Sequence, residues 1–360
     1  MTGAQALHLL IERDRCIGLR LKRGAKAMAV AADQIILAAG AIGTPKLLLL
    51  SGIGPEHALS PHGITLRHPL AGVGRNLSLH VNVKLSAFVD RPTYNTQRRG
   101  VAAVRHGLRF LIDRSGPVTS PANHGQAFVR TDPSLASADV QIQLMPLGFG
   151  SGDQMRQDGV TAVVSPCRPE ARGQVRLRSG NPLDAPRITL SLLDSAHDVA
   201  TLLRGCRLAW AALEGGPGRR MRGRLYAPPA GTHRDADWRD FFKQSAALNW
   251  HPCGTCRMGP GSDAVVDSSF RVHGLQGLRI VDASVMPHPD QRQYKRTGNR
   301  PGGTGGRADR RPLLTIRGLR PRPRQKIWRR ERGASPNDIE SGPAGNGRAA
   351  TAPARPCPTA

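Results

Sequence analysis

The sequence predicts a mixed α/β (α+β) fold: a buried strand and helix pair in one part of the chain and an antiparallel sheet in another. Three observations predict it. Gln34 to Ala39 reads Gln-Ile-Ile-Leu-Ala-Ala, an unalternating apolar run of the kind found in a strand covered on both faces. Val81 to Phe88 and Asp139 to Met145 instead alternate apolar and polar residues, the pattern of an antiparallel sheet with two unlike faces. Val199, Leu202, Leu203, Cys206, Ala209, Trp210 and Leu213 recur at helical spacing and mark an amphipathic helix.

In chain order, His8 to Glu12 and Cys16 to Leu21 flank a charged turn, Arg13-Asp14-Arg15, and form an antiparallel unit. The run ending at Gly40 is followed by a helix, with Thr44 expected as its N-cap and Pro45 in its first turn. Ser51-Gly-Ile-Gly-Pro55 stops that helix. A basic helix is expected over Val101 to Asp113, and a strand over Gly173 to Ser179 that turns at Gly180-Asn181-Pro182. The helix over Val199 to Leu213 is capped by Ser195, with Asp198 three residues on. Beyond Pro289 periodicity gives way to Gly, Pro and Arg.

The chain has 360 residues and a formal charge of +26, which raises nucleic acid or an anionic surface as a partner. The distribution weakens that reading: Asp290 to Ala360 holds 17 Lys and Arg against 5 Asp and Glu, +12 of the total. One tryptophan, Trp328, accompanies the basic run Arg307 to Arg332, and no binding module is recognisable there. No specific nucleic acid is therefore expected. Ile35 to Gly54 is broken by Pro45, Lys46 and glycines, so no membrane span is expected either. The start lacks a basic region followed by an apolar run, and six scattered cysteines do not make a disulfide framework. The expected location is cytoplasmic.

The glycine-rich stretches exclude more than they offer. Gly52-Ile-Gly54 follows a helix rather than a strand, and Gly72-Val-Gly74 lacks a third glycine, so neither is a dinucleotide loop. Cys253-Gly-Thr-Cys256 has the spacing of a zinc or thiol-redox pair but no second ligand pair, so two small packed cysteines are expected and no metal. His251, between Trp250 and Pro252, is the candidate reactive group. A neutral imidazole can take a hydroxyl proton near about pH 7. A strand over Leu278 to Val281 ends in Asp282-Ala283-Ser284, and ligands of open α/β sheets gather at the carboxyl ends of strands.

These segments resemble the glucose-methanol-choline (GMC) flavin oxidoreductases. Gly40-Ala-Ile-Gly-Thr-Pro-Lys-Leu-Leu-Leu-Leu-Ser-Gly-Ile-Gly54 matches the family's second signature at each specified position. His251-Pro-Cys-Gly-Thr-Cys-Arg-Met-Gly259, Val266-Asp267, Arg271-Val-His-Gly274 and Val281-Asp-Ala-Ser-Val-Met-Pro287 are similar to its C-terminal segment in order and spacing. Gly72 to Leu77 and Arg172 to Leu177 are similar too, and the resemblance is nearest to the choline/alcohol dehydrogenase branch. It implies FAD-dependent oxidation of a small alcohol to a carbonyl, with His251 as catalytic base and hydride passing to the flavin. It also implies that Ala38, Ala39 and Gly40 lie under the cofactor, while Asp282 and Ala283 form the turn that touches it. Residues 101–149 and Asn249-Trp250 are expected to line the alcohol pocket.

On this resemblance, 1–80 is a remnant of the Rossmann-like FAD-binding domain and 81–245 the substrate domain. Residues 246–287 return to the first domain, and 288–360 are a basic tail expected to be disordered. The family's opening βαβ unit with Gly-x-Gly-x-x-Gly would precede Met1, so a fragment unable to turn over is one expectation. An enzyme completed by a separate N-terminal chain, and a nucleic-acid-binding protein acting through the tail, are the alternatives. After Pro287 the family continues with Ser-Gly-Asn-Thr-Asn-Ala-Pro, its first asparagine being the partner of the histidine. Here Asp290 to Arg300 reads Asp-Gln-Arg-Gln-Tyr-Lys-Arg-Thr-Gly-Asn-Arg, with Gln293 at that place. Synonymous codons for this stretch, shifted forward one nucleotide, read Ile-Ser-Gly-Asn-Thr-Asn-Ala-Pro, so a frameshift between Pro287 and Asp290 is expected.

Overall fold

A computed structural model describes residues 1–150, 156–215 and 222–289. The tail from residue 290, and with it Gln293 and the expected frameshift, lies outside the described residues.

The chain opens with β1 (Ala4–Glu12), β2 (Arg15–Arg23) and β3 (Lys26–Ala31), an antiparallel meander one strand longer than the predicted pair. Arg13 takes a positive φ of 50° in the tight turn between β1 and β2. The predicted buried run becomes β4 (Ile35–Leu37), paired in parallel with a strand from the far end of the chain, Leu278–Ile280. Its expected burial on both faces is not what the structure shows. Ile35 and Leu37 are buried while Ile36 is 44% exposed, so β4 alternates and one face stays open.

Helix α1 (Gly40–Leu50) starts four residues before the predicted cap, and this corrects the role expected of Thr44. Gly40 N–H donates to the carboxylate of Asp282, so a residue distant in sequence does the capping, and Thr44 lies inside the helix. Pro45 is also internal. It has no N–H for the carbonyl of Ala41, four residues back. That carbonyl instead accepts the hydroxyl of Thr255 at 2.7 Å, and Thr255 is fully buried. Leu47 to Leu50 are all buried, which makes α1 the spine of the first core.

After β5 (Ile53–Gly54), helix α2 (Glu56–Leu59) and β6 (His68–Pro69) comes the second sheet. β7 (Val81–Val89) is its central strand. The short helix α3 (Tyr94–Gln97) and helix α4 (Gly100–Asp113) follow, then β8 (Gly125–Val129), β9 (Val140–Met145) and β10 (Gly159–Pro166). β11 (Gln174–Arg176) and β12 (Arg187–Thr189) form a separate hairpin. Helix α5 (Ala196–Glu214) keeps its predicted cap, since Ser195 Oγ accepts from Asp198 N–H. The Asp198 carboxylate does not close a capping box; it accepts instead from the N–H groups of Glu170 and Ala171. Arg222–Ala227 and Ala247–Leu248 add β13 and β14 to β7, and Leu278–Ile280 is β15.

Two apolar clusters result. One joins α1 to Leu9, Cys16, β4, β15 and residues from Cys256 to Val285. The other packs Leu202, Cys206 and Ala209 of α5 against Val83, Leu85, Ala162 and Val164 of the large sheet, with Trp238 and Phe242 from helix Asp235–Ser245. By alternation Asn82, Lys84 and Ser86 of β7 project from the opposite face of that sheet, and Ser86 and Lys84 face Thr161 and Val163 of β10. The register carries this face on to Gln141 and Gln143 of β9.

Candidate active site

His251 sits in a loop that the ladder expels. Ala247 and Leu248 pair with Asn82 and Val81, and Asn249 N–H continues the ladder to His80 O at 2.9 Å. Pairing resumes at Cys253, which exchanges both backbone bonds with Ser78. Trp250, His251 and Pro252 therefore stand opposite the single residue Leu79, a wide bulge in a two-stranded ladder. Within it His251 N–H donates to Asn249 O at 2.5 Å, closing a three-residue turn that throws the Trp250 side chain into solvent, 87% exposed. Pro252 suits the position because no ladder bond is asked of it.

Asn249 fixes the foot of this loop. Its side-chain oxygen accepts from Asn82 Nδ2 at 2.7 Å and its nitrogen donates to Ser165 Oγ at 3.2 Å, so β14, β7 and β10 are tied together on the polar face. His80 belongs to the same face. Its ring is edge-on to that of His251 with centroids 6.2 Å apart, and its Nε2 lies 3.2 Å from Cys167 O. The imidazole of His251 thus stands at the edge of a polar sheet surface.

The other predicted residues gather nearby. Ala38 and Ala39 are exposed at the carboxyl end of β4, and Gly40 begins α1 with a φ of 77°. Asp282, at the matching end of β15, accepts from Gly40 N–H at 2.9 Å, Thr44 Oγ1 at 2.6 Å and Ser284 N–H at 2.8 Å. Ala283 O accepts from Gly254 N–H, which places the Asp282 turn against the segment just after His251. Cys256 and Met258 continue this contact through Ser284 O and Val285 O.

Gly254 explains why small residues follow His251. Its φ is 89°, and a Cβ there would lie 2.5 Å from Asn76 O. Gly72 and Gly74 are held as closely: a Cβ would meet Asp263 O at 2.0 Å or Val175 O at 2.3 Å. Asn76 Nδ2 donates to Gly254 O and Pro287 O, while Arg172 Nε donates to Asn76 Oδ1. The two segments singled out in sequence, residues 72–77 and 172–177, therefore brace both strands of the site.

Cys253 and Cys256 form no disulfide and have no exposed surface, and no group of three metal-ligating side chains occurs among the described residues. Burial pushes the Cys256 and Cys206 thiols far above the ordinary range, and Cys167 to about 11. Such thiols are packing groups.

Sequence reasoning missed Asn82 and Ser165, which hold Asn249 in place, and Thr255, which repairs α1; it named Asn249 only as a pocket residue and Thr44 only as a cap. Period-two alternation marks Asn82, Lys84 and Ser86 as one face but not as a covered one.

Two sequence profiles of the GMC oxidoreductases match, over residues 1–82 and 169–295. The chain belongs to the GMC oxidoreductase family. An oxygen-dependent choline dehydrogenase of Brucella canis is 32% identical over 288 residues, 78% of this chain and 52% of that protein. An alcohol dehydrogenase [acceptor] of Pseudomonas putida is 29% identical, covering 80% of this chain and 53% of its own. This GMC chain thus spans about half the length of the curated relatives it matches. Among solved structures, a formate oxidase of Aspergillus oryzae, described for modification of its FAD, superimposes with a TM-score of 0.74 at 27% identity. It covers 80% of this chain and 56% of its own. Pyridoxine 4-oxidase from Mesorbium loti gives a TM-score of 0.70 at 25% identity, covering 80% and 53%. The GMC fold, with a cofactor domain and a substrate domain on an antiparallel sheet, accounts for both clusters of the described chain.

Proposed function

We propose that this chain carries the alcohol-oxidising site of an FAD-dependent GMC enzyme, with His251 as the base that takes the hydroxyl proton. The observation that carries the reading is the expelled loop. It lifts one imidazole off a hydrogen-bonded ladder, beside a polar sheet face and against the Asp282 turn. A base must be held in place yet reach a substrate. The Asn82–Asn249–Ser165 chain provides the first condition and the three-residue bulge the second.

The residues at the parallel strand ends fit a flavin cofactor. Ala38 and Ala39 offer small, exposed surface at the carboxyl end of β4, and a Cβ on Gly40 would meet nothing within 4 Å, so the approach is open. Bound FAD would supply the two-electron acceptor for the substrate's C–H hydride. Asp282 contributes by fixing the start of α1 relative to β15, and Ala283 by tying that turn to Gly254. His251 contributes the proton acceptor, and its neutral form is the competent one.

The test is reconstitution of the purified chain with FAD, followed by anaerobic addition of primary alcohols. Retained flavin absorbance after gel filtration, bleached by an alcohol and bleached about a hundred- to ten-thousand-fold more slowly in His251→Ala, is the expected result. Flavin that is retained but reduced equally fast without His251 would sink the assignment of the base.

A further inference from the structure

The polar face beside His251 has a definite chemical character. Asn82, Ser165, Gln141 and Gln143 are all buried on it, at 3%, 3%, 4% and 5% exposure. The side-chain nitrogens of Gln141 and Gln143 are enclosed without a hydrogen-bond partner, and so is the side-chain oxygen of Asn82. Buried polar atoms destabilise a fold if nothing ever meets them. Two amide donors and one acceptor thus lie unsatisfied within the polar face beside the base.

The charges on this face point the same way. None of the residues that β7, β8, β9 and β10 direct to it is Asp or Glu. The one formal charge is positive: Lys84 Nζ lies 4.3 Å from the centre of the Phe149 ring. That contact places a cation on the aromatic face that a quaternary ammonium would need. Phe88 is stacked on Tyr226 at 4.4 Å, and Phe128 sits at the exposed β8 edge. A cationic alcohol would therefore meet a like charge and no counter-ion on this sheet face.

We propose that this site takes a small alcohol bearing hydrogen-bonding oxygens, in the first instance a hydroxy acid, and discriminates against quaternary ammonium alcohols. Gln141 and Gln143 donate to the substrate's carboxylate or second hydroxyl, and Lys84 supplies the opposite charge. The inference rests on the reading of His251 and its polar face as an alcohol site. It separates this chain from the choline specificity that the names of its relatives carry.

Binding to the full chain is measured by ligand-observed NMR with glycerate, glycerol and choline, with and without FAD, on wild type, Lys84→Gln and Gln143→Leu. Circular dichroism confirms folding of each variant. Glycerate is expected to bind at least about tenfold more tightly than choline, glycerol to fall between them, and Lys84→Gln to remove most of the glycerate advantage. Gln143→Leu should weaken glycerate and glycerol alike. Choline binding as well as glycerate, or a glycerate affinity indifferent to Lys84, overturns the inference. So does retained flavin with no binding of any of the three. If Gln143→Leu does not fold, the Lys84→Gln comparison decides alone. Failure of the broader reading looks different: FAD is not retained, whereas the glycerate-to-choline ratio is still read from the flavin-free samples.

Discussion

Thr44 donates its hydroxyl to the Asp282 carboxylate at 2.6 Å across 238 residues of chain. The same oxygen accepts Gly40 N–H. One carboxylate at the end of β15 therefore sets where α1 begins and how it sits on the parallel strand pair. Thr44 is fully buried, so Thr44→Val keeps the shape but leaves that oxygen short of one donor. A loss of about 1–3 kcal/mol in urea unfolding is expected. Asp282→Ala removes acceptors for three donors and should cost more than Thr44→Val; an equal or smaller loss would contradict the capping role.

Thr255→Val tests the repair of α1 at Pro45. The Ala41 carbonyl then has neither a helical N–H nor the threonine hydroxyl. Destabilisation of about 1–3 kcal/mol is expected. The double variant Pro45→Ala with Thr255→Val should recover part of it, because the helix regains its own donor. Additive losses in that cycle would show that the two residues act independently.

Gly254→Ala should be among the most damaging single changes. It combines a left-handed φ of 89° with a Cβ 2.5 Å from a backbone oxygen. The expected loss is about 1–3 kcal/mol or more, together with weaker FAD retention, since the loop bearing His251 must move. Thermal melts with and without FAD separate the two effects.

Thiol chemistry checks the packing reading of the cysteines. With burial holding Cys256 and Cys206 far above the usual range and Cys167 at about 11, native alkylation near about pH 8 should leave all three unmodified. Mass spectrometry after denaturation should find them reactive. Rapid native labelling of Cys256 would mean the site segment opens to solvent.

Acid should loosen one helix start before the core. The Arg234 side chain beside Asp237 holds that carboxyl down at about 2, against an ordinary 3.8. A folded pKa below the unfolded one gives stability that is present above the ordinary value and lost as pH falls toward about 2. NMR titration should show Asp237 protonating late and the amides of Arg234 and His233 shifting with it, since both donate to its carboxylate.

Local pattern made the strands and helices readable. Period-two alternation located β7 and β9, and helical spacing with Ser195 located α5 and its cap. What sequence could not supply was anything that depends on contact between distant residues. Thr44 looks like an N-cap because Thr-Pro commonly opens helices; Asp282 overrides that from the other end of the chain. The unalternating run at β4 suggested two covered faces, but its only strand neighbour among the described residues is β15. The family motif pointed to His251, Gly40 and Asp282, and Gly40 and Asp282 are in direct contact. Asn249, Lys84 and Gln143 carry no local signal; their meaning comes from register alone.

Register also says something about how the His251 loop can vary. Asn249 and Cys253 are four residues apart while His80 and Ser78 opposite them are two apart, so the loop carries an even surplus. Side chains in a pleated strand change sides at each residue, and an even surplus leaves that alternation in phase on both flanks. The imidazole is displaced without inverting the strand on either side of it. Shortening or lengthening the loop by one residue would turn Asn249 or Cys253 to the wrong face, whereas a change of two would keep both where they are. The reach of the base is thus adjustable only in steps of two residues, a parity rule written into the ladder beneath it.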